Sequence, residues 1–156
     1  MTPDATAVML QEFIGYEFED LEILEEARTR RAFRNENPSL NLGCMDSIAT
    51  LGDAVLGAVV VYRLYEDGKQ KKGELTKRKI AGIRREKTYA FAVDNKLSDY
   101  VQWGKGEVKQ RSQYQGNKAL DTVTESLIGA VFLDAQNKSL NGMNEVIQML
   151  EKMNYF

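Results

Sequence analysis

Four carboxylates on two segments of this sequence have the types and spacing that could do chemistry. Asp46 and Asp53 are seven residues apart, which on a helix places them on one face but about 10 Å apart along the axis. That separation is too long for both to hold one ion. Asp121 and Glu125 are spaced i, i+4 and can converge on a helix surface. Carboxylates that converge without a basic partner repel one another, and a divalent cation between them relieves that repulsion.

The segment LGDAVLGAVVVY (51–62) places Asp53 directly before the most apolar stretch of the chain. We expect this carboxylate to lose water, and an ionised group that loses water needs a partner: a helix N-terminus, an arginine or a metal ion. A similar apolar flank, SLIGAVFL, follows Glu125. If the flanks pack together, the two acids face one cleft and a cation can lie between them. The alternative is that Asp53 only caps or solvates its helix and Glu125 pairs with a lysine such as Lys118.

The sequence contains no histidine and a single cysteine. Ser-His-Asp and Cys-His nucleophiles are therefore excluded, as is every zinc site that uses histidine. Hydrolysis, if it occurs, has to depend on carboxylates that hold a hard cation such as Mg²⁺. The single cysteine and the lack of a signal peptide predict a cytoplasmic protein.

Charge is distributed unevenly along the chain, although the net charge is only −2. Residues 1–27 contain eight acidic residues and no basic ones, whereas residues 69–87 contain nine basic residues and two acidic ones. One face could attract a polyanion while the whole molecule stays acidic. A solvated face is the alternative explanation of such a run.

The apolar periodicity predicts a single all-α domain over residues 1–156. The helix at 45–65 is apolar on nearly every side after Asp53, and we expect it to be the buried centre of a helical bundle. Its uncharged stretch of about nine residues is half of what a bilayer requires, so no membrane span is predicted. The other predicted helices lie at 8–13, 21–34, 74–95 with a break near Gly82, 97–103, 119–134 and 140–153, with a turn at 104–106 and a loop at 110–118.

Four ordered blocks of sequence resemble the nuclease domain of the ribonuclease III family. They are IGYEFEDLEILEEA (14–27), TLGDAVLGAVV (50–60), GELTKRKIAGIRREKTYAFAVDNKLSDYVQWGKGE (73–107) and ESLIGAVFLD (125–134). The resemblance covers nearly the whole chain and implies an all-helical homodimer whose groove accepts double-stranded RNA. It also implies phosphodiester hydrolysis that depends on Mg²⁺, with Mn²⁺ as a possible substitute.

The resemblance assigns roles to individual residues. Asp53 and Glu125 match the family's metal-ligating acids, and Asp46 matches an acid that would help to position RNA or water. Two further acids of the family pattern are replaced here, by Ala49 and Thr122. The resemblance therefore implies a partly degenerate acidic site.

Helix geometry allows a nearby residue to compensate for one of these replacements, the one at Thr122. A residue at i−4 from Glu125 lies about −40° from it around the axis, and one at i−3 about +60°. Asp121 could therefore lean into the site, through a shared water, as a substitute metal ligand. A cation held by two or three carboxylates and several waters suits Mg²⁺. We expect weaker metal affinity and slower cleavage, or no cleavage at all.

The basic segment gains a role from the same resemblance, because A-form RNA is held largely through phosphates and 2′-hydroxyls. Lys77, Arg78 and Lys105 are the candidate RNA contacts, with solvated side chains as the alternative for each. The family's double-stranded-RNA-binding domain is not found in these residues, so a separate RNA-binding protein could supply affinity. The sequence thus predicts either a dimeric RNA endonuclease or a catalytically inactive dimeric module that binds RNA or a ribonucleoprotein.

Overall fold

The computed structural model describes residues 1–68, 71–110 and 118–156 and shows an all-α fold. Within these residues there is no β-strand, only an isolated bridge between Thr29 and Gln102. The prediction of an all-α fold is confirmed. The helices are α1 (Ala5–Ile14), α2 (Leu21–Arg28), α3 (Arg31–Glu36), α4 (Met45–Glu66), α5 (Lys72–Ile83), α6 (Arg85–Asp94), α7 (Lys105–Gln110), α8 (Lys118–Asn137) and α9 (Gly142–Lys152), with 3₁₀ turns at Pro38–Leu40 and Leu97–Tyr100.

Helices α4 and α8 cross with their backbones in contact at two glycines. A Cβ atom on Gly52 would lie 1.7 Å from the carbonyl oxygen of Glu125, and one on Gly129 would lie 2.2 Å from the carbonyl oxygen of Ile48. No side chain fits at either point, so glycine is required for this approach. The condition that the two apolar flanks pack against each other is not met at this crossing: the helices run in opposite directions, and Gly129, in the flank after Glu125, packs on Ile48, which precedes Asp53.

The core surrounds this crossing, and α8 is its most enclosed helix. α2, α6 and α9 pack on α8, and α5 packs on α4. Side chains of α4, α8 and α9 that are almost fully buried fill the centre: Leu56, Val59, Ile128, Val131, Val146 and Leu150. α4 lies at the centre of the bundle as predicted, but one of its faces is open to solvent.

A buried aspartate fixes the N-terminal segment to the end of α8. The carboxylate of Asp134 accepts hydrogen bonds from the hydroxyl of Tyr16 at 2.8 Å and from the backbone N–H groups of Glu19 and Asp20 at 3.2 and 2.8 Å. Lys138 completes the set at 3.4 Å. These bonds offset the cost of burying a charge and hold the pKa of Asp134 below its usual value.

Several predicted boundaries differ from the structure. The helix predicted over 21–34 is two helices, because the chain is extended at Thr29 and Arg30, where it bonds to the backbone of Gln102. The predicted turn at 104–106 instead begins α7, so Lys105 lies on a helix. The break predicted near Gly82 falls at Arg84. The loop predicted at 110–118 lies mostly outside the described residues.

Of the helices in the described part of the chain, α4 alone is long and apolar enough to cross a membrane, judged by length and composition. The core helix of a soluble protein passes the same test. In its most apolar 18-residue window, 44% of the residues are buried inside the structure, where they pack against α8 and its neighbours. The apolar character of α4 is accounted for in part by this packing.

Candidate active site

The contact between α4 and α8 brings acids from the two helices to one cleft. Asp53 directly follows Gly52, the glycine on which the backbone of Glu125 packs. Glu125 is half-buried and lies close enough to Asp53 and Asp121 to be repelled by both. Burial, reinforced by these two negative neighbours and opposed by Arg85, raises the pKa of Glu125 to about 7. Three of the four predicted acids therefore converge.

The acid that burial removes from water is Glu125 and not Asp53. The expectation that Asp53 is desolvated by its apolar flank is wrong, because its side chain is exposed. The helix turns the following apolar residues, Val55 and Leu56, into the core and leaves Asp53 on the solvent side. Glu125 is the acid of this pair whose charge is disfavoured by burial.

Asp121 lies beside Glu125, and its carboxylate is engaged by an arginine. Its Oδ2 atom is 2.7 Å from Nε of Arg85, the first residue of α6, and its Oδ1 atom accepts the backbone N–H of Thr122 at 3.0 Å. Asp121 is only 5% exposed, so this ion pair offsets a charge that water does not reach. The assignment of Asp121 as a metal ligand stays a prediction.

Arg85 was not predicted from the sequence as a site residue. The residue belongs to the basic segment 69–87, where it is one of nine basic residues with no local feature that distinguishes it. Its pairing depends on how α6 docks against α8. The hydroxyl of Thr124 donates to the carbonyl of Thr88 at 2.8 Å, and the hydroxyl of Thr88 donates to the carbonyl of Arg85 at 3.0 Å. These buried hydroxyls position the first turn of α6 beside Asp121.

Asp46 is not part of the convergent group. It lies two turns before Asp53 on α4, and its carboxylate is 2.5 Å from the guanidinium of Arg31. Ala49, between the two aspartates, is buried and apolar. The side of the cleft near Asp46 is therefore neutralised by an arginine.

The three candidate RNA contacts are exposed on two separate helices. Lys77 and Arg78 lie on α5, where Arg78 is 3.9 Å from Glu74, and Lys105 begins α7, which packs on α3. The backbone N–H of Lys105 bonds to the carboxylate of Glu36 at 3.1 Å, which leaves its ammonium group free of that contact. All three charges are presented to solvent.

The donor chemistry of the cleft suits a hard cation. Its polar groups are carboxylates, and the negative charges of Asp53, Asp121 and Glu125 exceed the one positive charge of Arg85. Within 1–68, 71–110 and 118–156, no group of three or more Asp, Glu, Cys or His side chains is arranged to hold a metal ion. An ion such as Mg²⁺ keeps several of its waters and needs few protein ligands, and Asp53 and Glu125 are the candidate pair for it.

An apolar stripe runs along the open face of α4 beside Asp53. Ala54, Ala58, Tyr62 and Tyr65 recur at helical spacing and are all exposed. The two alanines make the stripe flat near the cleft, and the two tyrosines make it broad near the end of the helix. A contiguous exposed apolar surface of this kind is typical of an interface.

Comparison with known proteins gives consistent results. A family model described as Ribonuclease-III-like matches residues 20–150. Ribonuclease 3 of Dehalococcoides mccartyi is 33% identical over 92% of this chain and 59% of that protein, and ribonuclease 3 of Lactiplantibacillus plantarum is 35% identical over 82% and 55%. The chain therefore spans less than two thirds of the length of these curated relatives.

Solved structures show the same likeness. The nuclease domain of ribonuclease III from Campylobacter jejuni, described as structurally flexible in a region involved in dimer formation, superposes with a TM-score of 0.75 at 25% identity. The superposition covers 92% of this chain and 94% of that one. A second structure of that domain gives a TM-score of 0.74 over 97% of this chain.

Proposed function

The chain belongs to the ribonuclease-III-like family, and from that premise we propose that it is a divalent-metal-dependent endonuclease acting on double-stranded RNA. The observation that carries this proposal is the glycine contact between α4 and α8, which brings Asp53 and Glu125 to one cleft. Mg²⁺ is the proposed cofactor, with Mn²⁺ as a substitute. Family membership supports endonuclease action in general, and the cleft supplies acids of the type that it requires.

Asp53 and Glu125 are the residues that would hold the cation. When bound, such an ion supplies a nucleophilic water at neutral pH and stabilises charge on the phosphate. In the absence of a cation Glu125 is partly protonated near neutral pH, since burial and its acidic neighbours raise its pKa to about 7. Asp53, at the exposed edge, contributes a charge that water already solvates. Asp46, held by Arg31, would position RNA or water two turns away on the same helix.

We propose that RNA is bound through the exposed cations of α5 and α7. The side chains of Lys77, Arg78 and Lys105 are exposed, so they can contact phosphates without breaking an ion pair to a buried residue. Substituting Lys77 with Gln should weaken binding of duplexes of any sequence and reduce the slope of log affinity against log salt by about one. Fluorescence anisotropy at several salt concentrations measures both quantities. Unchanged affinity and slope would remove Lys77 from the RNA-binding surface.

We also propose that the chain forms a homodimer through the apolar stripe of α4. The stripe lies beside Asp53, so a second copy docked there would lie next to the cleft. The region of the Campylobacter jejuni domain that is described as involved in dimer formation is consistent with assembly of this kind. The mass of the protein in solution tests the proposal.

The decisive experiment is cleavage of a labelled duplex RNA in Mg²⁺ or Mn²⁺. Wild-type protein should cleave, and Glu125→Gln should be slower by at least about 100-fold, because it removes a carboxylate from the pair that holds the cation. Glu22→Gln, on the exposed side of α2, is the matched control and should cleave as the wild type does. Equal cleavage by wild type and Glu125→Gln would identify a contaminating nuclease.

A catalytically inactive module that binds RNA or a ribonucleoprotein is the second candidate. The buried, apolar Ala49 and the pairing of Asp121 with Arg85 favour it, since both reduce the carboxylates available to a cation. Calorimetry with Mn²⁺ separates the candidates. Binding that Asp53→Asn abolishes supports the enzyme, and no heat at millimolar Mn²⁺ supports the module. A separate RNA-binding protein as partner belongs to either candidate.

A further inference from the structure

A guanidinium group lies within the carboxylate cluster. Nε of Arg85 is 2.7 Å from Oδ2 of Asp121, a side chain that is almost completely buried. Oδ1 of the same carboxylate accepts the backbone N–H of Thr122 at 3.0 Å. Both oxygens of Asp121 therefore already have hydrogen-bond or ion-pair partners within the chain.

The position of this guanidinium is set by the packing of α6 on α8. Arg85 begins α6, and the hydrogen bonds from Thr124 to Thr88 and from Thr88 to Arg85 join that first turn to α8. The Arg85 side chain is 63% exposed, so its far side faces the solvent of the cleft. The ion pair thus joins the buried carboxylate of Asp121 to the guanidinium of Arg85, whose backbone is anchored on α8 and whose side chain lies at the cleft surface.

The charges around Glu125 show what this cation does. Asp53 and Asp121 repel the charge of Glu125, and among the described side chains Arg85 is the basic group that acts on it in the opposite sense. A divalent ion between Asp53 and Glu125 would be repelled by the positive charge of Arg85. Like charges at short range weaken binding, and an engaged Asp121 supplies no additional negative charge to offset this.

We propose that Arg85 is a tethered counter-ion of this cluster, which holds Asp121 out of the ligand set and keeps the affinity of the cleft for divalent cations low. The proposal rests on the proposed function, which assigns Asp53 and Glu125 as the residues that hold the ion. Arg85 is accordingly a positioning residue and not a ligand. Its removal gives the cleft a third available carboxylate and removes a repelling charge.

The test is Mn²⁺ binding, measured from the free-Mn²⁺ signal in electron paramagnetic resonance and so independent of any RNA cleavage. Arg85→Gln should bind Mn²⁺ about tenfold more tightly than the wild type. Arg84→Gln is the matched control, because it removes the same charge from the neighbouring exposed residue at the junction of α5 and α6. We expect it to change the affinity by less than about twofold, because Arg85 and not Arg84 is among the charges that act on Glu125, and an exposed charge farther away is screened.

A second variant keeps the test valid if a buried, unpaired Asp121 prevents Arg85→Gln from folding. The double variant Arg85→Gln/Asp121→Asn replaces the ion pair by two neutral side chains, so no charge is left buried without a partner. The proposal predicts an affinity within about threefold of the wild type, since Asp121 is not a ligand when Arg85 is present. A tenfold loss would show that Asp121 ligates the ion in the wild type and would overturn the proposal. Circular dichroism establishes that each variant is folded.

The outcomes separate this inference from the proposed function. Equal or weaker Mn²⁺ binding by Arg85→Gln, with binding by the wild type, overturns the inference and leaves the enzyme proposal standing. Binding by Arg85→Gln alone supports the inference and contradicts a metal-dependent wild-type enzyme. No binding by wild type, Arg85→Gln or the double variant overturns both, because the cleft is then not a cation site.

Discussion

The acids of the cleft differ in how their charges are compensated, and this decides how each behaves. Asp46 and Asp121 each have a guanidinium within 2.7 Å, and Asp53 has water. Glu125 is half-buried between like charges, and Arg85 offsets them only in part. The protonation of its carboxyl group therefore changes near neutral pH, and a bound cation would displace that proton.

In the cation-free protein, the free energy of unfolding should depend on pH through the carboxyl group of Glu125. The pKa of Glu125 rises from its ordinary value of 4.5 to about 7 on folding, so protonation favours the folded state. That contribution is complete below pH 4.5 and is lost as the pH rises through 7. Because the side chain is partly solvated, we expect about 1–2 kcal/mol rather than the full value of the shift.

Urea unfolding in EDTA, from pH 4.5 to 8, measures this effect. The free energy of unfolding of Glu125→Gln minus that of the wild type should grow by about 1–2 kcal/mol across the range, because the amide has no charge to develop. Taking the difference cancels the opposite contribution of groups such as Asp134, whose pKa is lowered on folding. A difference that stays constant with pH would show that Glu125 does not titrate as described.

The close approach of α4 and α8, which forms the cleft, requires the two glycines at their crossing and does not require the acids. Gly52→Ala would place a methyl group 1.7 Å from a backbone oxygen of α8, which no side-chain rotation can relieve. The helices must separate, and we expect a loss of about 3 kcal/mol or more in the free energy of unfolding. Thermal and urea denaturation followed by circular dichroism measure it.

Gly73→Ala on α5 is the matched control for that substitution. A Cβ atom at Gly73 has nothing within 4 Å, so alanine there should be neutral or stabilise the helix by up to about 1 kcal/mol. A cost below about 1 kcal/mol for Gly52→Ala would show that the backbones are not in contact. The proximity of Asp53 and Glu125 would then need a different explanation.

The elements differ in how far sequence predicts them. The apolar periodicity identified α4 and α8, because a long helix must repeat its buried residues at helical spacing. The same reasoning missed the break at Thr29, because the extended backbone there is stabilised by Gln102, which is distant in sequence. It also missed α7, whose start is stabilised by two carboxylates: Glu107 accepts the backbone N–H of Gly104, just before the helix, and Glu36 accepts that of Lys105, its first residue.

The same holds for the site: sequence spacing predicts some of its features, and others depend on how the helices dock. The sequence predicted that Asp53 and Glu125 would face one cleft if their apolar flanks packed together, and the structure brings them close through the glycine crossing instead. The exposure of Asp53 and the ion pair of Arg85 were not predictable, because they depend on the rotation of α4 and on how α6 docks. Sequence spacing fixes which residues share a helix face but not which charge from another helix meets them.

In the assembled molecule, one face of α4 is left uncovered by the residues that the structure describes. The open face of α4 exposes Ala54, Ala58, Tyr62 and Tyr65 beside the cleft. A two-fold axis near the alanines would place the same stripe of a second copy opposite, so that each apolar residue is covered by its equivalents. The two clefts would then lie on one assembly, as cleavage of both strands of a duplex requires.

Ala58→Glu should break this dimer. Two copies of the new carboxylate would face each other across the axis without a basic partner, and the desolvation of both should weaken association by at least about 100-fold. Light scattering coupled to size exclusion should give a dimer mass for the wild type at micromolar concentration and a monomer mass for the variant. Ala90→Glu on the exposed side of α6 is the matched control and should remain dimeric. A monomeric wild type, or a dimeric Ala58→Glu, would place any self-association elsewhere than on α4.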